Sequence, residues 1–331
     1  MSTGSTNSSG TLAQGAPRRA AFVASARRRP IAAVRLVVLA GLAVLALTTP
    51  GFLSEPSILA LLTTVSFIGC VAVGMTLITV SGNIMSFSLG ALVGATAMIF
   101  IVSVNFGGVV FGFVAALAFG ALVNAVQGAV IGLVRANPII VSIAATALIT
   151  GVAEAFAEHG TIYVAAGTTY GIFRGKIGGL PVEFLVLLCA AAAGQFILTC
   201  TNFGRNIYML GASFAAAEVV GIKTWRTVTG AYLWAGFFAA FAGILLAIRY
   251  DAASMSYGSG YEYDAVAAVL VGGTAIKGGE GSVLRTLVGA IVIAVVQSVL
   301  LLQGFRPEWQ YLIAGIIVLA MVALQSPGMR E

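Results

Sequence analysis

The stretch Ile58-Leu-Ala-Leu-Leu-Thr-Thr-Val-Ser-Phe-Ile-Gly-Cys-Val-Ala-Val-Gly-Met-Thr-Leu-Ile-Thr-Val80 decides the fold. It holds no charged residue, and a helix needs about 20 residues of this kind to cross ~30 Å of hydrocarbon. Apolar runs of spanning length recur at 31–49, 84–103, 108–134, 138–157, 183–200, 229–249, 286–303 and 309–325. A shorter, Gly-interrupted run at 263–276 reads as a broken or re-entrant element. The expectation is about ten spans. Composition agrees: 60% of the 331 residues are hydrophobic and 8% charged, mean hydropathy is +1.05, and a soluble domain carries roughly a quarter charged residues. So apolar a chain cannot cover a water-facing surface with polar groups, which excludes a soluble enzyme. The fold class is all-α, a polytopic membrane protein.

Charge placement orients it. Residues 1–29 are Ser/Thr/Gly-rich and then basic, with Arg18, Arg19, Arg27, Arg28 and Arg29. They bury too little apolar surface to fold and read as a disordered cytoplasmic tail, ahead of a transmembrane domain over 30–331. A basic flank before an apolar run also describes a signal peptide. The run 31–49 is long for that and lacks a small-x-small cleavage site before Pro50, so it reads as a retained helix. With the tail cytoplasmic and ten crossings, only Arg174, Lys176, Arg249 and Arg306 of the 17 Lys and Arg fall outside. That asymmetry follows the positive-inside rule. Both termini are then cytoplasmic, and the net charge of +6 is an orientation signal rather than a nucleic-acid patch.

No catalytic constellation is visible. His159 is the single histidine and has no second ligand for a metal. No Ser has a His partner, and no G-x-x-x-x-G-K-[ST] loop is present, so any ATP-driven work needs another chain. Cys70, Cys189 and Cys200 lack metal-ligand spacing and read as packing residues. The 41 glycines, including Gly90-x-x-x-Gly94 and Gly108-x-x-x-Gly112, predict close helix packing.

Polar residues are costly in lipid and concentrate in two places. Ser81-Gly-Asn-Ile-Met-Ser-Phe-Ser-Leu-Gly90, with Asn83, Ser86 and Ser88, reads as an interrupted helix whose free backbone groups line a pathway. Asn124, Gln127 and Asn137 form the second group. Such neutral groups suit a hydroxylated solute better than an ion. The competing reading is interhelical hydrogen bonding that holds the bundle together.

The cytoplasmic loop 201–228 is the most informative. Within it Gly211–Ile222 reads as a short helix with Ser213 as N-cap and Gly221 as stop. Apart from Glu218 its surface is apolar, so it needs a partner groove or must lie in the membrane interface. Arg205, Lys223 and Arg226 would hold it near the anionic leaflet.

Phe203-Gly-Arg-Asn-Ile-Tyr-Met-Leu-Gly211 and the stretch after it resemble the coupling loop of ribose-type sugar ABC transporter permeases, FGRxIYAxGxNxxAAxxSGI, with Ser213 for Asn and Val220 for Ser. Gly260-Tyr-Glu-Tyr-Asp-Ala-Val-Ala-Ala-Val-Leu-Val-Gly-Gly-Thr274 resembles GYELDAIAAVxxGGT, and Gly278-Gly-Glu-Gly-Ser282 matches GGxGS. Pro138 fits the PxFIxTLG region loosely. The family commonly has GGIDLSVG where this chain has Asn83-Ile-Met-Ser-Phe-Ser-Leu-Gly90, so Ser86 stands where Asp is usual. The resemblance covers roughly 58–325. It implies a permease domain working as a homodimer or heterodimer with two cytoplasmic ATPase subunits and a periplasmic solute-binding protein. It also implies a solute path at the dimer interface and two related halves, of which Gly90–Ala95 against Arg285–Ala290 is a faint trace.

The expected function is thus the permease of a bacterial ABC importer for a small sugar, with no cofactor bound by this chain and ATP used by the partner. Arg205, Ser213, Ala215, Ala216, Glu218, Gly221 and Ile222 are the expected ATPase-coupling residues, and bulk at Ala215, Ala216 or Gly221 should block docking. A branched-chain amino acid is the nearest alternative solute. A secondary transporter or channel is the rival class and would place ion-coordinating acids at the midplane, whereas Glu154, Glu262 and Asp264 fall near predicted outer ends.

Overall fold

The computed structural model describes residues 48–157, 160–165 and 170–306, with isolated positions up to 319. The tail 1–29, nearly all of the predicted span 31–49, His159 and much of the predicted span 309–325 lie outside the described residues. Nine helices are used below: α1 (Glu55–Val80), α2 (Ser88–Val134), α3 (Pro138–Phe156), α4 (Val182–Cys200), α5 (Asn202–Ala212), α6 (Phe214–Val219), α7 (Thr224–Tyr250), α8 (Tyr261–Gly272) and α9 (Val283–Leu302). Among the described residues six of them, α1, α2, α3, α4, α7 and α9, are long and apolar enough to cross a membrane.

The opening stretch forms α1. Ser54 precedes it and Pro56 sits in its first turn, where a missing N–H costs nothing. Its many β-branched residues are weak helix formers in water, but in lipid every backbone group must be satisfied internally. Thr63, Ser66, Thr76 and Thr79 donate their hydroxyls to carbonyls one turn back, so they add no unmet polar groups. Thr76 also lies 2.7 Å from the Thr286 hydroxyl and ties α1 to α9.

Helix α2 is 47 residues long in hydrogen-bond terms, yet it is two limbs folded on Gly108 (φ 85, ψ 174). The pairings are those of a hairpin: Ser88 bonds Gln127, the rings of Phe100 and Phe113 lie 5.3 Å apart, and Gly112 rests on Phe100 and Val104. The two limbs, 88–107 and 109–134, match the two separate spans expected from sequence. Gly108 has open space around it but needs positive φ, so it serves the turn rather than a helix contact. Gly90 and Gly94 do mediate a close approach: a Cβ on Gly94 would stand 2.9 Å from the Met255 carbonyl.

Asn137 caps α3 by accepting from the Ile139 N–H at 2.9 Å, with Pro138 as first residue. Of this helix only Ser142 is buried. The core lies elsewhere, around α1, α7 and α8, with α7 clasped between the α2 limbs and α1. Small residues allow this: a Cβ on Gly74 would be 2.7 Å from the Ala235 carbonyl. Without a hydrophobic drive between helices in lipid, this dense contact is what holds them. Cys70 belongs to that core, whereas Cys189 and Cys200 are exposed on α4, so the packing expectation holds for the first alone.

The 12 residues of α8 reach roughly 18 Å at 1.5 Å per residue, too short to cross. Gly273 (φ 87) stops it, and the turn 273–282 returns the chain to α9. Ser282 caps α9, assisted from α4, where the Gln195 side chain accepts from the N–H groups of Val283 and Leu284. At the end of the bundle remote from α5 and α6, Lys176–Ile177 pairs with Leu180–Pro181 across Gly178-Gly179, both of positive φ. There Arg174 bonds Asp251 at 2.6 Å, and Lys176 lies 3.5 Å from Glu55.

Candidate functional site

Two assemblies meet the second α2 limb, one at Gln127 and the other at its end, Arg135. The first is a polar ring. Ser88 donates to Gln127 Oε1 at 2.6 Å, Gln127 Nε2 donates to Ser86 Oγ at 3.1 Å, and the two serine hydroxyls lie 2.9 Å apart. With Ser86 donating to Ser88, each member gives one hydrogen and receives one. All three are buried, and Ser86, at the position where the resembling family commonly has Asp, keeps the ring uncharged. Asn124, one turn before Gln127, donates to the Tyr232 carbonyl at 2.7 Å while its own carbonyl oxygen is buried without a partner. Asn83 stands apart, half-buried and bonded to Ser81. Of the five expected pathway residues, the structure therefore joins three, engages Asn124 with α7, and leaves Asn83 partly open.

The second assembly is the α5–α6 knuckle. Thr201 caps α5 by accepting from Gly204 N–H at 3.0 Å. Ser213 then caps α6, accepting from Ala216 N–H at 3.3 Å. At the far end Gly221 (φ 85) donates to the Glu218 carbonyl at 3.0 Å and Ile222 to the Ala217 carbonyl at 3.0 Å, a Schellman stop. Both predicted caps are thus observed. Ala217 faces the protein, whereas Ala215, Ala216, Glu218 and Gly221 face out, and Ile222 is half-buried. Val219 is 88% exposed and Val220 67%, unusual for valines that terminate a helix. Beside them an open cleft of about 600 Å³ is lined by Phe203, Met209, Val220, Gly221, Lys223 and Arg226 among others. Arg205 is exposed on α5, and Arg226 lies over the Trp225 ring.

Two ties anchor the knuckle, and neither is visible in the sequence pattern. Arg135, at the end of α2, pairs with Glu218 and lies 5.2 Å over the Phe214 ring. Behind it, bare backbones meet: a Cβ on Gly82 would stand 3.0 Å from Gly211 Cα, one on Gly279 2.7 Å from Ala212 Cα, and one on Gly211 would strike the Val80 carbonyl. Gly279 N–H donates to that carbonyl at 2.9 Å. The knuckle is thus joined to the segment after α1 and to the turn after α8. The signal was present as Gly82, Gly211 and Gly278-Gly279, but 41 glycines hide it. Tyr208 adds a bond to the Gly281 carbonyl at 2.7 Å. Burial raises its phenol pKa, and the Arg285 charge opposes that.

Among the described residues no group of three His, Cys, Asp or Glu is placed to hold a metal. The arrangement offers a sealed neutral ring and a tethered apolar knob. The family described as the permease component of the branched-chain amino acid transport system matches residues 57–322. The chain belongs to that family. It is 32% identical over 286 residues to the ribose import permease protein of Bacillus subtilis strain 168, covering 85% of this chain and 88% of the relative. Against the ribose import permease protein of Escherichia coli K12 it is 29% identical, covering 88% and 92%. Against the galactose/methyl galactoside import permease protein of Haemophilus influenzae it is 32% identical over 219 residues, covering 64% and 65%. No solved structure matches. This chain is accordingly a multi-pass membrane permease subunit, and hydrolysis of ATP falls to a separate subunit.

Proposed function

We propose that this permease carries a small sugar or sugar-like solute inward across the bacterial inner membrane, driven by ATPase subunits that dock on the α5–α6 knuckle. The observation that carries the reading is the knuckle itself: a capped helix with Val219 and Val220 bare to solvent, beside a basic-rimmed cleft. Bare apolar surface of this kind favours a protein groove. The end with the knuckle also carries Arg135, Arg205, Lys223, Arg226 and Lys277, against Arg174, Lys176 and Arg249 at the opposite end. By the positive-inside rule the knuckle face is cytoplasmic. On this reading the domain 30–331 crosses ten times, one crossing being completed by the segment 251–260 together with the short α8; its coupling loop is 201–228, and the tail 1–29 and both termini are cytoplasmic.

A periplasmic solute-binding protein and a second permease, a copy or a paralogue, complete the importer, and this chain binds no cofactor. Sugar is favoured by the relatives, whose names specify ribose and galactose import. A docked ATPase drives the change only by binding the knuckle differently in its two states. Arg205, Ser213, Ala215, Ala216, Glu218, Gly221 and Ile222 are the coupling residues.

The test is Ala216→Trp. Ala216 is exposed, so bulk there meets a partner and not the chain's own core. The expected outcome is normal abundance in the membrane with ATPase co-purification and sugar uptake both lost; undiminished uptake overturns the docking site. Gly221 is a poorer probe than the sequence suggested. A Cβ there meets nothing within 4 Å, but its φ of +85 strains any replacement.

A further inference from the structure

The sealed ring leaves the outer part of the solute's route without a lining. On α3, Ser142, Thr146, Thr150 and Glu154 recur every fourth residue and stack on one face. Ile140, Ile143, Leu148, Val152 and Phe156 are exposed around the rest of the helix. The polar face turns inward: Ser142 is fully buried, and the Thr146 hydroxyl lies 3.3 Å from the Phe87 carbonyl. Thr150 and Glu154 are half-buried. Among the described residues neither side chain has a hydrogen-bond or ion-pair partner.

Glu154 lies roughly 24 Å along α3 from Pro138, at the end remote from the knuckle. There Glu154 and Ala157 meet Met98 and Ser254-Met255-Ser256 around a recess of about 180 Å³. The segment that brings the serines runs back into the bundle along the first α2 limb. A Cβ on Gly90 would stand 2.8 Å from the Gly258 carbonyl, so two bare backbones allow that approach. The same segment sets Tyr263 beside Phe87, ring centroids 6.2 Å apart, at the level where Thr146 bonds. A polar stripe therefore leads from the recess toward the aromatic pair.

We propose that this recess binds a neutral, hydroxyl-rich solute the size of one sugar ring at the outer mouth of the passage, with Thr150 and Thr146 lining the next step. The chemistry fits in three ways. A carboxylate accepts from two neighbouring hydroxyls, serine hydroxyls both donate and accept, and methionine packs against the C–H face of a ring. A lone carboxylate is a poor site for an ion, whose dehydration asks for more ligands. At about 30 Å³ per water the recess has room for about six waters, the space of roughly one monosaccharide. The proposal rests on the sugar-import reading above and places its solute.

The experiment uses the assembled importer, with its ATPase and solute-binding protein, and radiolabelled D-ribose and D-galactose as probes. Glu154→Gln, and Ser254→Ala with Ser256→Ala, are expected to lower uptake at least tenfold at unchanged membrane abundance. In a background with Cys189 and Cys200 replaced by serine, Thr150→Cys and Ser256→Cys should react with an impermeant maleimide from outside. Saturating sugar should slow that reaction at least threefold, while Ile143→Cys, on the exposed apolar face, stays indifferent to sugar. Unaltered uptake in the first variants, or labelling that ignores sugar, overturns the site alone. Failure of the unmodified importer to move any sugar removes the import reading, and the site with it.

Discussion

The polar ring and the knuckle differ in what they leave unmet. Ser86, Ser88 and Gln127 satisfy one another out of contact with solvent, so the ring asks nothing of a partner. The knuckle caps its short helix at both ends, through Ser213 and the Gly221 stop, yet leaves Val219 and Val220 bare. On the proposed reading, local polar order with bare apolar surface suits a docking element, whereas mutual polar pairing suits a brace between helices. The contrast teaches that polarity within a membrane segment does not by itself mark the path of a solute. On the proposed reading the path is marked instead by polarity without an internal partner, as at Thr150 and Glu154.

The most damaging way to break the comparison lies at the joint between its two halves. Gly211→Val places methyl carbons against the Val80 carbonyl and the Gly279 amide, both backbone and neither able to rotate away. The expected outcome is loss of folded protein, read as disappearance of the monodisperse peak in detergent size exclusion. A well-folded G211V would show that the glycine junction is slack.

Next in size is the ring. Gln127→Leu removes one donor and one acceptor; Ser86 and Ser88 still bond each other, but the buried Ser88 hydroxyl loses its acceptor, a cost of about 1–3 kcal/mol. Thermal unfolding in detergent should shift clearly downward, while ATPase co-purification persists because the knuckle is untouched. If Q127L kept wild-type stability and lost transport alone, the ring would line the path after all.

How much of this was legible follows from sequence separation. Runs such as 58–80 announce helices because the bilayer demands length and apolarity of consecutive residues. Ser213 and Gly221 were readable as caps because their partners lie within a few positions. The hairpin at Gly108 was legible as two spans, but the mutual pairing of Ser88 and Gln127, 39 residues apart, was not. Those residues stand out in the sequence as polar, but a sequence shows which groups need partners and not whether they find them. The short α8 was foreshadowed by its glycines. The stripe Ser142–Thr146–Thr150–Glu154 stands at helical spacing but gives no signal of its own, because threonines in a lipid-spanning helix ordinarily bond their own backbone.

The smallest expected effect sharpens the comparison most. Arg135 joins the second α2 limb to the knuckle, with its side chain 66% exposed and that of Glu218 42% exposed. An ion pair so open to water contributes about 0–1 kcal/mol, and a cation over the Phe214 ring about 0.5–1 kcal/mol. Arg135→Ala also trades one left-handed residue (φ 56) for another and gains nothing there. Its unfolding temperature should therefore move by no more than a degree or two. Coupling is another matter: if the limb bearing Gln127 follows the knuckle through Arg135, the variant should hydrolyse ATP with less solute moved per ATP. Glu218→Ala should match it, and the double variant should add nothing further, since both remove the same tie. Additive losses in the double variant would instead assign Glu218 to direct contact with the ATPase.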